Sequence, residues 1–448
     1  MGAGGLRERI LDGSLVLLLL IAIADGGEPA RVVQAEEILK LIELGQPVEY
    51  DGCTIEGDLD LRGLDLPRVP VDRTWLEESL SLPDYFILGV LDYDIIVASP
   101  ISISNSVIKG SVNLNGTVFQ NSVVFHGNRF EGPAFLVGSK FNQADFSDTQ
   151  FNRIADFSCA QFNQTDFTDT QFNETANFWC AQFNETAFFT GAQFNEIAGF
   201  SYAQFNRTAY FRNVQFNQEA QFLDADFLDL SFDNSQFSKD PFFDNAQIKG
   251  HLSLYRTKYD KLNIRWSSIH DLTYDDTAYF LLIENFKKLG FTDNADECYY
   301  SYRYKHMWEL LRQGKFDSWF FDLLAWATYG YGLRPVRPLG WSMFFILAGG
   351  SFFFFTKSIR RSMGRAEPSG NRMRAIRGRE SKQEQKDVSI WEAFLLSATY
   401  FTSGASAIIS GAPMEFAPIG KARYVVVLLR LLGWVFFVIF LSSLTRSI

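Results

Sequence analysis

Hydrophobic and polar positions along the middle of the chain repeat at an interval of five or six residues. From Phe119 to Phe237 a phenylalanine returns at that interval more than twenty times in a row. The densest run reads Phe151, Phe157, Phe162, Phe167, Phe172, Phe178, Phe183, Phe189, Phe194, Phe200, Phe205, Phe211, Phe216 and Phe222. A small residue usually stands two places before each, as at Ala155, Ala160, Thr165, Thr170, Ala176 and Ala181. Helices repeat at about 3.6 residues and strands at about 2, so neither accounts for the interval. A five-residue period predicts a chain that turns a corner at each repeat and stacks into a solenoid. One coil cannot bury its own phenylalanines, so stacked neighbours are expected to share a continuous core. Where a step lengthens to six residues, as in Gln-Phe-Asn-x-x-Ala-x-Phe, the corner must bulge. Asn follows Phe at Asn163, Asn173, Asn184, Asn195, Asn206 and Asn217. Asn tolerates left-handed backbone, which predicts tight corners there, and stacked amides can hydrogen-bond along the rod.

A small residue, a polar residue and a central Phe in each unit resemble the pentapeptide-repeat family over roughly residues 97–270. The resemblance implies a right-handed, four-sided β-helix of about four units per coil, with each central Phe pointing inward. Stacked strands lie about 4.8 Å apart, so eight or nine coils make a rod roughly 40 Å long. The ends of such a rod expose sheet edges and need caps. Residues 31–46 read as an amphipathic capping helix (Val33, Ile38, Leu39, Leu41, Ile42, then Gly45), and a helical segment after Tyr274 is expected to close the other end. The organisation read from these patterns is an N-terminal cap with first coils at 31–96 and the repeat β-helix at 97–273. A helical adaptor at 274–335 ends in an aromatic-rich helix, residues 316–331, suited to a membrane interface.

Two further regions are apolar. Arg7 and Arg9 precede an uncharged run from Ser14 to Ala24, which reads as a signal peptide over 1–24 cleaved after Ala24, or else a retained short anchor. Leu339 to Thr356 and Tyr424 to Leu444, the latter interrupted only by Arg430, are long enough to span a bilayer. Between them, Ile390 to Phe401 is too short: as a helix it rises roughly 18 Å against a hydrocarbon core of about 30 Å. The order span, short helix, loop, span over 336–448 resembles the two-helix pore module of potassium-channel-like proteins. The resemblance implies that Thr402, Ser403, Gly404, Ala405 and Ser406 form the pore loop, with Gly433 as the hinge of the inner helix. Thr402 and Gly404 match the family filter; Ala405 and Ser406 stand where it has an aromatic and a second Gly. One pair of spans cannot enclose a pore, so the resemblance implies cation conduction by a homo-oligomer, a tetramer in that family. The alternative is a non-conducting scaffold, anchored in the membrane, whose β-helix binds a protein or ligand. Gly330-Tyr331-Gly332 spells a filter triplet but precedes the first span, and reads as a turn before Arg334 and Pro335.

Charge divides the 448-residue chain, whose net is −11. Residues 336–448 hold 15 Lys and Arg against 6 Asp and Glu, a net of +9; the rest holds 26 against 46, a net of −20. Ten of those basic residues lie between Lys357 and Asp387, which places the 357–388 loop in the cytoplasm and the β-helix outside a multi-pass cell-membrane protein. An acidic rod also suits DNA mimicry, but a signal and a membrane tail argue against nucleic acid as partner. Cys159 and Cys180 each follow a repeat Phe by two places and fall on one face of the rod. A disulfide is open to that placement, although free buried thiols are the expectation. Asn115, Asn163, Asn173, Asn184 and Asn206 begin Asn-x-Thr sequons and are candidate glycan acceptors if the rod is exported. His126, His251, His270 and His306 have no metal-ligand spacing, and no phosphate loop or nucleophile elbow is present, so neither an enzyme nor a cofactor is expected.

Overall fold

The computed structural model describes residues 31–71, 93–361, 389–403 and 416–446. The segment up to Ala24 that was read as a signal peptide or short anchor, and the loop residues Gly404, Ala405 and Ser406, lie outside them. The chain divides into two compact units, Met1–Cys298 and Tyr299–Ile448.

The first unit is a β-solenoid of about ten turns. Its strands lie in three sheets of nine, fourteen and seven among the described residues, paired in parallel apart from one antiparallel contact of Arg68–Pro70 with Tyr93–Val97. Register is set by the phenylalanines. Phe141 pairs with Phe162, Phe162 with Phe183, and Phe183 with Phe205, so a coil takes 21 or 22 residues. The fourteen central phenylalanines of the densest run are buried, none more than 3% exposed. Each lies nearly coplanar on its counterpart one coil away, as Phe151 on Phe172 at 5.2 Å and 2° or Phe178 on Phe200 at 4.8 Å and 1°. Rings from adjoining sides meet edge to face, as Phe157 and Phe167 do at 5.3 Å and 82°. Aromatic pairs favour both geometries because each ring has a negative face and a positive edge.

The left-handed corners are not the asparagines that follow Phe. They lie two places after the central residue, twice per coil, at positions such as Asp148, Cys159, Asp169, Cys180, Tyr202, Asn213 and Asp224. The Asn residues instead build two outward ladders. Asn206 donates to Asn184, Asn184 to Asn163 and Asn163 to Asn142, at 3.1, 3.0 and 3.3 Å. Asn217 donates to Asn195, Asn195 to Asn173 and Asn173 to Asn152, at 2.8, 2.8 and 2.9 Å. The inserted sixth residue distorts its corner. Gln161–Asp166 runs through one corner as a single strand, whereas one coil later it breaks into Gln182–Phe183 and Ala187–Phe188. A register shift follows between Phe205 and Thr208.

Both ends are covered. Helix α1 (Ala35–Glu43) buries Ala35, Ile38 and Ile42 and follows a short strand, Val32–Gln34, that pairs with Thr54–Glu56. At the other end stands α2 (Asp276–Lys288), with Asp275 as its N-cap accepting from the Ala278 N–H at 2.8 Å. The Asn285 amide takes the place of a further strand: its Oδ1 accepts from Leu262 N and its Nδ2 donates to Leu262 O, both at 2.9 Å. Backbone groups at that edge are thereby paired by the cap.

The two units divide within α3 (Thr292–Arg312), between Cys298 and Tyr299. The second unit continues with α4 (Phe316–Tyr329), α5 (Val336–Thr356), α6 (Ile390–Ser403) and α7 (Ala422–Arg446). Helices α5 and α7 are long and apolar enough to cross a bilayer. Antiparallel strands Ile359–Arg361 and Phe416–Pro418 tie the end of α5 to the start of α7. Gly330-Tyr331-Gly332 forms a tight turn in which all three residues have positive φ and Tyr331 is buried.

Candidate functional site

The second unit is organised around α6. Its start is set by reciprocal capping: Ser389 Oγ accepts from Glu392 N at 3.3 Å and Ser389 N donates to a Glu392 carboxylate oxygen at 2.8 Å. The Ser-x-x-Glu signature at 389–392 was available in the sequence as a helix start. Ala393, Leu396, Tyr400 and Phe401 then form a core with Phe353 of α5 and Ala422, Val426, Leu429 and Phe436 of α7. Three glycines allow that approach. A Cβ at Gly349 would fall 2.5 Å from Ser397 Oγ, and one at Gly350 would fall 2.3 Å from the Phe394 ring. At Gly433 it would fall 1.9 Å from the Phe401 carbonyl oxygen. Gly433 is thus a point of backbone contact between α6 and α7. On α5, Gly349 and Gly350 make room for side chains, Ser397 and Leu429 at the first and the Phe394 ring at the second, and the sequence reading did not single them out.

Thr402 and Ser403 lie on the last turn of α6, not beyond it. Thr402 Oγ1 donates to Ala398 O at 2.9 Å, and Ser403 Oγ donates to Tyr400 O at 2.9 Å. The Ser403 hydroxyl thus engages a carbonyl that the helix C-terminus otherwise leaves open, while Thr402 bonds back to a carbonyl four residues earlier within the helix. The Arg430 guanidinium stands 5.5 Å from the centre of the Tyr400 ring, beside the same turn.

In the solenoid, two features stand apart from the regular repeat. Where the five-residue corner gives way to the six-residue one, a groove of about 600 Å³ opens, lined by Val123, Asp145, Thr165, Asp166, Glu185 and Phe188 among others. Phe188 is partly exposed and stacks on Tyr210 at 5.6 Å. Cys159 and Cys180, at the same left-handed corner of successive coils, form a disulfide with a Cα–Cα distance of 4.6 Å. That corrects the expectation of free thiols: one coil of rise already lies within the Cα separation a disulfide needs. Trp179 and Tyr202 pack against the bond. The sequon side chains of Asn163, Asn173, Asn184 and Asn206 belong to the amide ladders, and Asn115 Oδ1 accepts from Val137 N at 2.8 Å.

Residues 114–161 and 181–226 match the family model for pentapeptide repeats, nine copies of the unit. The chain carries pentapeptide repeats. The match lies wholly within the solenoid and does not reach the helical unit. No curated protein and no solved structure matches the chain. The nine-copy match covers the pentapeptide coils that hold the disulfide's Cys159 and most of the groove-lining residues.

Proposed function

We propose that this is a multi-pass cell-membrane protein that carries an exported pentapeptide solenoid on a pore-like helical module, which conducts ions as a homo-oligomer. The observation that carries the reading is the placement of α6. A helix too short to span is wedged between two helices that are long enough, with glycines at each close contact. The outward residues of α5 and α7 are apolar and exposed, including Phe344, Phe355, Tyr424 and Leu431, and suit contact with lipid or with further copies. The potassium-channel resemblance supplies the tetramer, the loop Thr402–Ser406 as the selective element, Gly433 as a pivot, and cations as the conducted class.

The topology in this reading puts the basic 357–388 loop in the cytoplasm and the solenoid outside, behind a signal segment ending at Ala24. The Cys159–Cys180 bond favours the same placement, because disulfides persist in oxidising compartments. In cross-section we read the solenoid as four-sided and right-handed, with the two left-handed turns per coil at two of its corners. A second reading is a membrane-anchored scaffold that does not conduct. The groove beside Phe188 favours it, as a surface for a protein or ligand partner. We expect neither enzyme activity, nor a cofactor, nor a nucleic-acid partner.

The test is single-channel recording of the purified full-length protein in planar bilayers. Discrete currents that disappear with Gly404→Pro are expected. Silence from a protein shown to be folded and oligomeric in the same sample would sink conduction and leave the scaffold.

A further inference from the structure

The last helix carries one charged residue deep inside its apolar length. Arg430 is the ninth residue of α7, so it lies about 12 Å from the Ala422 end at 1.5 Å per residue. It is exposed on the helical unit, and among the described residues it has no acidic partner; its contact is the Tyr400 ring. A guanidinium at such depth is unfavourable against hydrocarbon and is found facing protein or water.

The exposed positions of α7 divide into two stripes. Tyr424, Leu428, Leu431, Val435 and Val438 form one without any charge, suited to lipid. Arg423, Val427, Arg430, Trp434, Phe437 and Leu441 form the other, and from Val427 onward they follow alternating steps of three and four. The uncharged stripe keeps the same alternating steps, so spacing suits helix association on either, and the charges of Arg423 and Arg430 are what separate the two. Tyr400 holds the guanidinium next to the C-terminal turn of α6, where helix carbonyls concentrate partial negative charge. In a cation pore that negative end is left to the ion; here a fixed positive charge offsets it.

We propose that the Arg430 stripe of α7 faces other copies of this chain around a water-filled lumen, and that the ring of Arg430 side chains makes the pore prefer anions. The inference rests on the oligomeric pore reading above and reverses the ion class that the resemblance implies. Rings of Arg or Lys are a physical means of selecting anions.

The first test needs no current. Full-length Arg430→Cys, reconstituted in liposomes, is treated with a membrane-impermeant, charged thiol reagent, with Leu431→Cys as the lipid-facing comparison. The native cysteines give little background. Cys159 and Cys180 are joined, Cys53 and Cys298 are buried, and burial pushes the Cys298 thiol well above its ordinary value. Modification at 430 and none at 431 is expected. Equal inertness at both positions would place Arg430 against lipid and overturn the proposal.

The second test is the reversal potential in a tenfold potassium chloride gradient. The wild type is expected to reverse on the chloride side. Arg430→Gln should move the reversal toward zero, and Arg430→Glu should carry it to the potassium side. A cation-selective wild type left unchanged by Arg430→Gln would overturn the proposal while leaving the pore. No current from an assembled oligomer would remove the pore itself, and the anion preference with it, whatever the labelling shows.

Discussion

Phe178 sits at the middle of the aromatic stack, between Phe157 and Phe200 at 4.8 Å on either side. Removing a fully buried aromatic leaves a cavity that rigid neighbouring coils cannot close, so Phe178→Ala should cost about 3–5 kcal/mol. Asn184→Ala, which removes one exposed rung from an amide ladder, should cost about 1 kcal/mol or less. Chemical denaturation followed by tryptophan fluorescence checks the contrast, and equal losses would contradict it. The Cys159–Cys180 bond closes a loop of 21 residues and should stabilise the solenoid by about 3 kcal/mol. Cys159→Ser should lower the denaturation midpoint accordingly, and reduction of the wild type should reproduce most of that loss. The sequon asparagines stack one coil apart, with too little room for a glycan at each rung of a ladder that includes Asn163, Asn184 and Asn206. The intact mass of a natively produced solenoid is therefore expected to be unshifted at these three positions. The same packing logic explains why Asn follows Phe: the amide is kept for ladder bonds, while Asp, Cys, Gly, Tyr or Asn two places after the ring takes the left-handed turn.

Among the elements, α6 depends most on residues far away in sequence. Gly433→Val would put its Cβ against the Phe401 carbonyl oxygen and separate α6 from α7. Gly350→Leu would do the same against Phe394. Either change should lower the melting temperature of the detergent-solubilised protein by several degrees, since overpacking typically costs about 1–3 kcal/mol. Gly340→Ala, where a Cβ meets open space, is the comparison and should be neutral. A Gly433 variant as stable as the Gly340 variant would show that the close contact does not matter. The start of α6 carries a Ser-x-x-Glu signal that the sequence reading did not use, and its short length was legible from composition. Its end was not: Thr402 and Ser403 continue the helix because their hydroxyls find carbonyls one turn back. In sequence, the same residues read equally well as the first of the loop.

For the molecule as a whole, the unequal distribution of charge and the disulfide bear on one question, which side of the membrane the solenoid occupies. A tag in the 357–388 loop should stay protected from protease added outside intact cells, whereas the solenoid should be cleaved or labelled. The opposite pattern would invert the proposed topology and remove the reason for a signal segment. The proposed oligomer would give the Arg430 stripe of α7 a protein or water neighbour, which a single copy does not supply: there Arg430 has no acidic partner among the described residues.

The solenoid was readable from the chain alone because its order is local. A five-residue period, a small residue before each ring and a stack of similar coils leave one arrangement that buries the central Phe of each unit, and register follows from aligning ring on ring. The two apolar helices were readable for a similar reason, as length and composition suffice to recognise them. Other features depend on which coil or helix lies beside which. The disulfide exists because Cys159 and Cys180 fall at the same corner one coil apart. The Asn285 cap exists because α2 returns to the open edge at Leu262. Gly349, Gly350 and Gly433 matter because α6 is inserted where only glycine leaves room. Each is a contact between residues separated by a coil or more, and its strength is set by distances that no local pattern encodes.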